Sequence, residues 1–122
     1  MLKQGKKYII KDGAHNPDAI KELAKNYKNS PYYKKENTLI FACAADKDYK
    51  TISKLLNPLF KHIILTEASA NACPASELKK YFKNAKTILN PQEINFEKLS
   101  GNILICGSFY LCSKWKNIII YI

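Results

Sequence analysis

Within the run Asp12-Gly13-Ala14-His15-Asn16-Pro17, a carboxylate, an imidazole and a carboxamide fall close together in the chain. A carboxylate accepts paired hydrogen bonds from hydroxyl groups, and an imidazole beside a helix N-terminus suits a phosphate or carboxylate. The surrounding residues say how such groups are held. Tyr8, Ile9 and Ile10 form a short apolar run before the motif, and Ile20, Leu23, Ala24 and Tyr27 follow it at helical spacing. Gly13 permits a tight turn, Asn16 is a good N-cap, and Pro17 suits the first helical position. The run therefore reads as a strand-to-helix turn. In open α/β sheets such turns lie at the C-terminal edge of the strands, where ligands bind.

The rest of the chain alternates strand and helix in the same way. Residues 8–11 read as a strand and 17–27 as a helix, with 28–37 an exposed connection. Residues 38–42 (Thr-Leu-Ile-Phe-Ala) are apolar on both faces, as a parallel core strand requires. A helical segment then carries Tyr49, Ile52, Leu55 and Leu56 until Asn57-Pro58 ends it. Residues 62–66 form the next strand, and Pro74 opens a helix that carries Leu78, Tyr81 and Phe82. A short strand over 86–89, a short helix over 92–99 and a strand over 102–106 follow. A last helical stretch holds Phe109, Leu111, Cys112 and Trp115, and the apolar tail 117–122 reads as a final strand or an unfinished one. Repeated β–α units need right-handed crossovers. They predict an α/β fold: one Rossmann-like, three-layer domain with a mostly parallel sheet of five or six strands.

In a parallel sheet the loops after successive strands share one edge. Asp12, His15, Asp46, Lys47, Thr66 and Ser108 are thereby predicted to converge on one rim. Each also has a structural role open to it. Asp12 can brace its own turn, His15 can be an exposed loop residue, Asp46-Lys47-Asp48 can be an ordinary acidic helix start, and Ser108 can be only an N-cap.

Composition narrows the field. The chain has 122 residues and a formal charge of +10, with all 20 basic residues lysine. Length suits one domain with a real core. The lysines are spread along the chain, no arginine is present for bidentate base reading, and no RNP-like or helix-turn-helix pattern occurs, so nucleic-acid binding is disfavoured. No apolar run spans a membrane, and residues 1–5 lack a signal-peptide core, which makes a cytoplasmic protein the expectation. Cys43, Cys73, Cys106 and Cys112 show no C-x-x-C spacing and predict buried free thiols rather than a metal site.

Four motifs, in order, resemble the C-terminal domain of folylpolyglutamate synthase/dihydrofolate synthase in the Mur ligase superfamily. Asp12-Gly13-Ala14-His15-Asn16-Pro17 matches the family's first motif, and Ala45-Asp46-Lys47-Asp48 resembles its second. The stretch from Thr66 through Leu78 resembles a threonine loop followed by a proline and a helix. Gly107-Ser108-Phe109-Tyr110-Leu111 resembles the closing Gly-Ser-x-Tyr-Leu pattern. The first motif is the specific one. In the third stretch Asn71 stands where the family usually has arginine, and no arginine precedes the first motif.

The resemblance implies a half-enzyme spanning residues 1–122, with the P-loop ATPase domain absent: no G-x-x-x-x-G-K-[ST] occurs in the chain. Such ligases join L-glutamate to a folate carboxylate through an ATP-derived acyl-phosphate. Mg2+ ligands and most of the folate site are expected in the N-terminal domain, which would be the partner in cis or in trans. By the same analogy Asp12, His15 and Asn16 would contact the nucleotide. His15, Ser108 and Tyr110 would hold glutamate, with Asp46, Lys47 and Thr66 on the rim. No catalytic group and no metal ligand is assigned to the chain, and no turnover is expected of it alone. The competing expectations are a stand-alone remnant that keeps weak nucleotide or anion affinity and, less favoured, a basic nucleic-acid accessory protein.

Overall fold

The computed structural model describes residues 2–4 and 7–115. A six-stranded sheet runs in the order β1-β2-β6-β3-β4-β5. It comprises β1 (Leu2–Gln4), β2 (Lys7–Lys11), β3 (Thr38–Phe41), β4 (His62–Leu65), β5 (Lys86–Thr87) and β6 (Ile103–Cys106). Only β1 is antiparallel, to β2; the other four pairings are parallel.

β6 enters between β2 and β3, with Ile9 opposite Ile103 on one side and Thr38 opposite Ile103 on the other. This insertion matters for the site. It places the loops after β2, β6 and β3 side by side on one edge, although they are far apart in sequence.

Side chains alternate across the sheet. Ile10, Leu39, Phe41, Ile63, Leu65 and Leu104 face a core built with Ile20, Leu23 and Tyr27 of α1 (Pro17–Lys28) and with Ile52 and Leu56 of α2 (Tyr49–Leu56). Leu78 of α3 (Ala75–Leu78) closes that core. On the other face Ile9, Ile40, Ile64, Ile103 and Ile105 meet Ile94, and Leu111 and Cys112 of α4 (Phe109–Cys112). The result is the three-layer α/β domain expected. The return from β5 to β6 runs opposite to the earlier steps, so a right-handed crossover must use the other face.

Local chemistry sets the element ends. The Asn16 side chain accepts from the Ala19 N–H, Pro17 occupies the first helical turn, and Asp18 sits near the positive end of α1. Asp48 caps α2 by accepting from the Thr51 N–H at 3.2 Å. Below the sheet, buried Asn37 donates to Tyr27 Oη at 2.6 Å and to the Tyr32 carbonyl at 2.9 Å, and accepts from the Asn102 N–H. That network joins α1, the following connection and the start of β6.

Several expected elements are shorter than their periodicity implied. The helix opened by Pro74 is one turn: the Lys79 and Phe82 N–H groups still reach back to Ala75 and Leu78, but the chain turns at 79–84, where Asn84 takes φ 56°. The helix over 92–99 is two separate 3-10 turns, Pro91–Glu93 and Phe96–Lys98, each started by an asparagine side chain, Asn90 or Asn95. The strand over 86–89 is regular only at Lys86 and Thr87, although the Ile88 N–H still donates to the Leu65 carbonyl and the Leu89 carbonyl accepts from the Glu67 N–H. β1 was not anticipated at all. The tail strand over 117–122 lies outside the described residues.

Candidate functional site

The turn after β2 is fixed by its own side chains. Asp12 Oδ1 accepts from the Ala14 N–H at 2.8 Å, and the Asp12 N–H donates to the Ile105 carbonyl of β6. Its second carboxylate oxygen has no partner among the described residues. His15 Nδ1 lies 2.9 Å from the Gly13 carbonyl. A carbonyl only accepts, so Nδ1 carries the hydrogen and Nε2 is the ring nitrogen left to face a ligand.

The turn after β6 packs onto this one. Gly107 has φ 105°, and its N–H donates to the Ala14 carbonyl at 2.9 Å. Ser108 Oγ accepts from the Leu111 N–H and starts α4. Phe109 and Tyr110, the first two residues of that helix, are 66% and 68% exposed, while Leu111 and Cys112 turn into the core. The Phe109 ring stands edge-on to His15, with ring centroids 5.4 Å apart.

The loops after β3 and β4 form a small antiparallel ribbon. Ala44 bridges Ala72, the Ala45 N–H donates to the Asn71 carbonyl, and the Cys73 N–H donates to the Cys43 carbonyl. Burial beneath this ribbon pushes the Cys43 thiol up to about 12, the neighbouring Cys73 and Asp46 adding to it and Lys47 opposing it. All four cysteines are buried and free.

Between these walls lies a cavity of about 580 Å³, lined by His15, by residues 44–47 and 70–72, and by residues 107–110. Of the six residues predicted to share the rim, His15, Asp46, Lys47 and Ser108 line this cavity, together with Asn71 and Tyr110. A second cavity of about 420 Å³ opens on the α1 side, lined by Asp12, Gly13, His15, Glu22, Asn26 and Phe109 among others. His15 and Phe109 belong to both and form the partition between them.

Three sequence candidates sit elsewhere. Thr66 is fully buried, and its hydroxyl donates to the Leu89 carbonyl at 3.1 Å, so it braces the approach of β5 rather than lining either cavity. Asn16 is exposed and engaged in capping α1. Asp12 faces the second cavity rather than the larger one. Phe109, which the sequence places only within a helical stretch, is exposed and lines both cavities. The N-cap role of Ser108 was the signal: it makes Phe109 the first helical residue, on the rim side.

Chemically, the larger cavity offers an ammonium at Lys47, a carboxylate at Asp46, a hydroxyl at Ser108, the Asn71 carboxamide and the His15 imidazole. That mixed set suits a ligand carrying both an anionic and a cationic group, such as an amino acid. The smaller cavity offers the carboxylates of Asp12 and Glu22, which suit hydroxyl or amino groups. Among the described residues, no three His, Cys, Asp or Glu side chains gather to hold a metal ion. No helix among them is long and apolar enough to cross a membrane.

Comparison with known proteins places this geometry in context. The family model described as "Mur ligase, glutamate ligase domain" matches residues 1–106. No curated protein matches the sequence. Among solved structures, folylpolyglutamate synthase from Thermotoga maritima is 28% identical with a TM-score of 0.77, over 90% of this chain and 27% of that one. E. coli FolC in complex with ADP is 20% identical with a TM-score of 0.76, over 87% and 27%. The bifunctional folylpolyglutamate synthase/dihydrofolate synthase from Yersinia pestis, complexed with AMPPNP and Mn ion, is 17% identical with a TM-score of 0.68, over 85% and 27%. The chain spans about a quarter of the length of the solved structures it matches.

Proposed function

Because the chain belongs to the Mur ligase family, as its glutamate ligase domain, we propose that it is the C-terminal part of an ATP-dependent folate–glutamate ligase. In this reading it closes over an N-terminal ATPase domain and supplies contacts to nucleotide and to L-glutamate. The observation that carries the proposal is the partition: His15 and Phe109 are shared by a cavity lined by the carboxylates of Asp12 and Glu22 and a larger one that pairs Lys47 and Asp46 with Ser108 and Asn71.

Asp12 lies on the nucleotide side, where its second oxygen accepts from ribose hydroxyls, and Asn16 acts there only by capping α1. Ser108 and Tyr110 lie on the amino-acid side, with Asp46 and Lys47 on the rim. His15, common to both cavities, holds an anion of either ligand as the imidazolium, donating from Nε2 while Nδ1 donates to the Gly13 carbonyl. ATP, bound with Mg2+ whose ligands belong to the N-terminal domain, supplies activation of the acceptor carboxylate. This chain's residues orient the glutamate amine and exclude water as the cleft closes. The solved relatives with bound ADP or with AMPPNP and Mn ion support nucleotide and metal use in such an enzyme. Thr66 has no place in the site.

The test is a graft. The chain replaces the matching region of Thermotoga maritima folylpolyglutamate synthase, and ATP-dependent addition of labelled glutamate to folate is measured. Activity is expected from the graft and none from the isolated chain. A folded, inactive graft, or turnover by the chain alone, overturns the proposal.

A further inference from the structure

Lys11 ends β2 with its side chain on the α4 face of the sheet, and it is only 2% exposed. Among the described residues it is the sole buried charged side chain; the other buried polar groups, such as Asn37 and Thr38, are neutral. An ammonium removed from water is costly unless it is well bonded. Here Nζ donates to the Cys112 carbonyl at 2.6 Å and to the Trp115 carbonyl at 3.0 Å. Burial lowers the Lys11 pKa, with the neighbouring Cys112 opposing that shift. An apolar residue would fill the same space without that cost, so the ammonium has a purpose to be found.

The purpose lies in what the Cys112 carbonyl terminates, with the Trp115 carbonyl holding the segment just beyond it. α4 is a single turn, Phe109–Cys112, and one isolated turn is not stable by itself. The last carbonyls of a helix lack partners and carry partial negative charge. Ser108 fastens the first end through the Leu111 N–H, and Lys11 fastens the other. The clamp also spans two rim loops, since Lys11 immediately precedes the turn that holds Asp12 and His15. Cys112 Sγ donates to the Asp12 carbonyl at 3.5 Å along the same seam.

We infer that Lys11 is a positioning residue: its buried ammonium clamps the C-terminal end of α4 and so holds Ser108, Phe109 and Tyr110 against the Asp12–His15 turn. The clamp itself needs only the geometry above; its effect on glutamate rests on the function proposed in the preceding section. Lys11→Met keeps the hydrocarbon stem and removes the donors.

Hydrogen exchange of the full chain provides the first test. Lys11→Met is expected to speed exchange at the amides of Leu111, Cys112, Ser113 and Lys114 by about tenfold or more, with the α1 amides unchanged. Unchanged exchange in α4, or an equal rise throughout the sheet, overturns the clamp. Should the variant fail to fold, the wild type decides. The Lys11 ammonium is expected to exchange slowly with solvent and to show scalar coupling through the hydrogen bond to the Cys112 carbonyl. Fast exchange of the Lys11 ammonium, or absence of that coupling, overturns the inference.

In the grafted ligase, Lys11→Met is expected to raise KM for glutamate by about tenfold while leaving KM for ATP unchanged. Equal changes in both, or none, overturn the positioning role. An inactive wild-type graft counts against the ligase reading instead, and the exchange data still decide the clamp.

Discussion

The N–H of Gly107 meets the carbonyl of Ala14 at 2.9 Å, joining residues that lie far apart in sequence at the point where β6 separates β2 from β3. The bond binds the two turns that form the His15–Phe109 partition. It also explains why residue 107 must be glycine. Its φ is 105°, and a Cβ there would lie 2.1 Å from the Ala42 carbonyl oxygen and 2.6 Å from the Phe41 ring. None of these neighbours is the flexible end of a surface side chain.

Gly107→Ala is therefore expected to destabilise the domain by about 3 kcal/mol, combining backbone strain with overpacking. The midpoint of urea unfolding checks this. A loss within about 0.5 kcal/mol, typical of an inert surface substitution, would show that the seam relaxes freely.

Gly13 makes a contrasting case. A Cβ there would come 2.2 Å from Phe109 Cε1, but the obstacle is a ring that is 66% exposed and free to swing outward. Gly13→Ala should cost little stability, about 1 kcal/mol or less, while displacing Phe109 from its edge-on contact with His15. In the variant carrying both Gly13→Ala and Phe109→Ala the remaining cost should fall to that of Phe109→Ala alone. Independent, additive losses in this cycle would show that the two positions are not coupled. The His15 ring proton shifts, sensitive to the Phe109 ring current, report the displacement directly.

These two glycines show how unevenly the fold and site could be read from sequence. The β2–α1 junction was legible to within a residue because Asn16, Pro17 and the Ile20/Leu23/Tyr27 spacing all specify the same helix. The buried strands were legible from runs such as 38–41. What failed were short elements whose limits are set by tertiary contacts. Pro74, Leu78, Tyr81 and Phe82 have helical spacing, yet Phe82 packs against Phe41 after the helix has ended. Thr66 looked like a rim residue by strand-end position, but its hydroxyl serves the Leu89 carbonyl. Lys11 gave no signal, because a lysine at a strand end normally reads as solvated. Only the register with β6 and the position of α4 bury it.

Asp12 separates the two roles that a turn carboxylate can have. One oxygen braces the turn through the Ala14 N–H, and the other is unengaged among the described residues. Asp12→Asn keeps an acceptor for Ala14 and removes the charge, whereas Asp12→Ala removes both. Stability should therefore follow wild type, then Asn, then Ala, with Ala about 1 kcal/mol below wild type. In the grafted ligase, both variants should raise KM for ATP by about tenfold or more. A normal KM in Asp12→Asn would restrict Asp12 to bracing the turn.

The buried thiols set the alkaline limit of stability. Burial pushes Cys43 up to about 12 and Cys112 up to about 11, from an ordinary value of 9.0, and it raises Cys106 well above that value. Between pH 9 and the folded-state values the unfolded chain gives up thiol protons that the native chain retains. The native state then binds more protons, so stability must fall as pH rises. The thiol contribution is intact below pH 9 and is lost progressively through pH 11–12. Lys11, whose pKa is lowered, acts in the opposite direction just below its ordinary value of 10.5, but it is one group against four thiols, since burial raises Cys73 as well. Unfolding free energy should hold steady from pH 7 to 8.5 and then decline, each net proton contributing about 1.4 kcal/mol per pH unit. Cys43→Ala, which removes one of these thiols at the cost of a small cavity, should make the decline shallower. A slope identical to wild type would assign the alkaline loss to other groups, such as Tyr27, whose hydroxyl is also pushed up by burial.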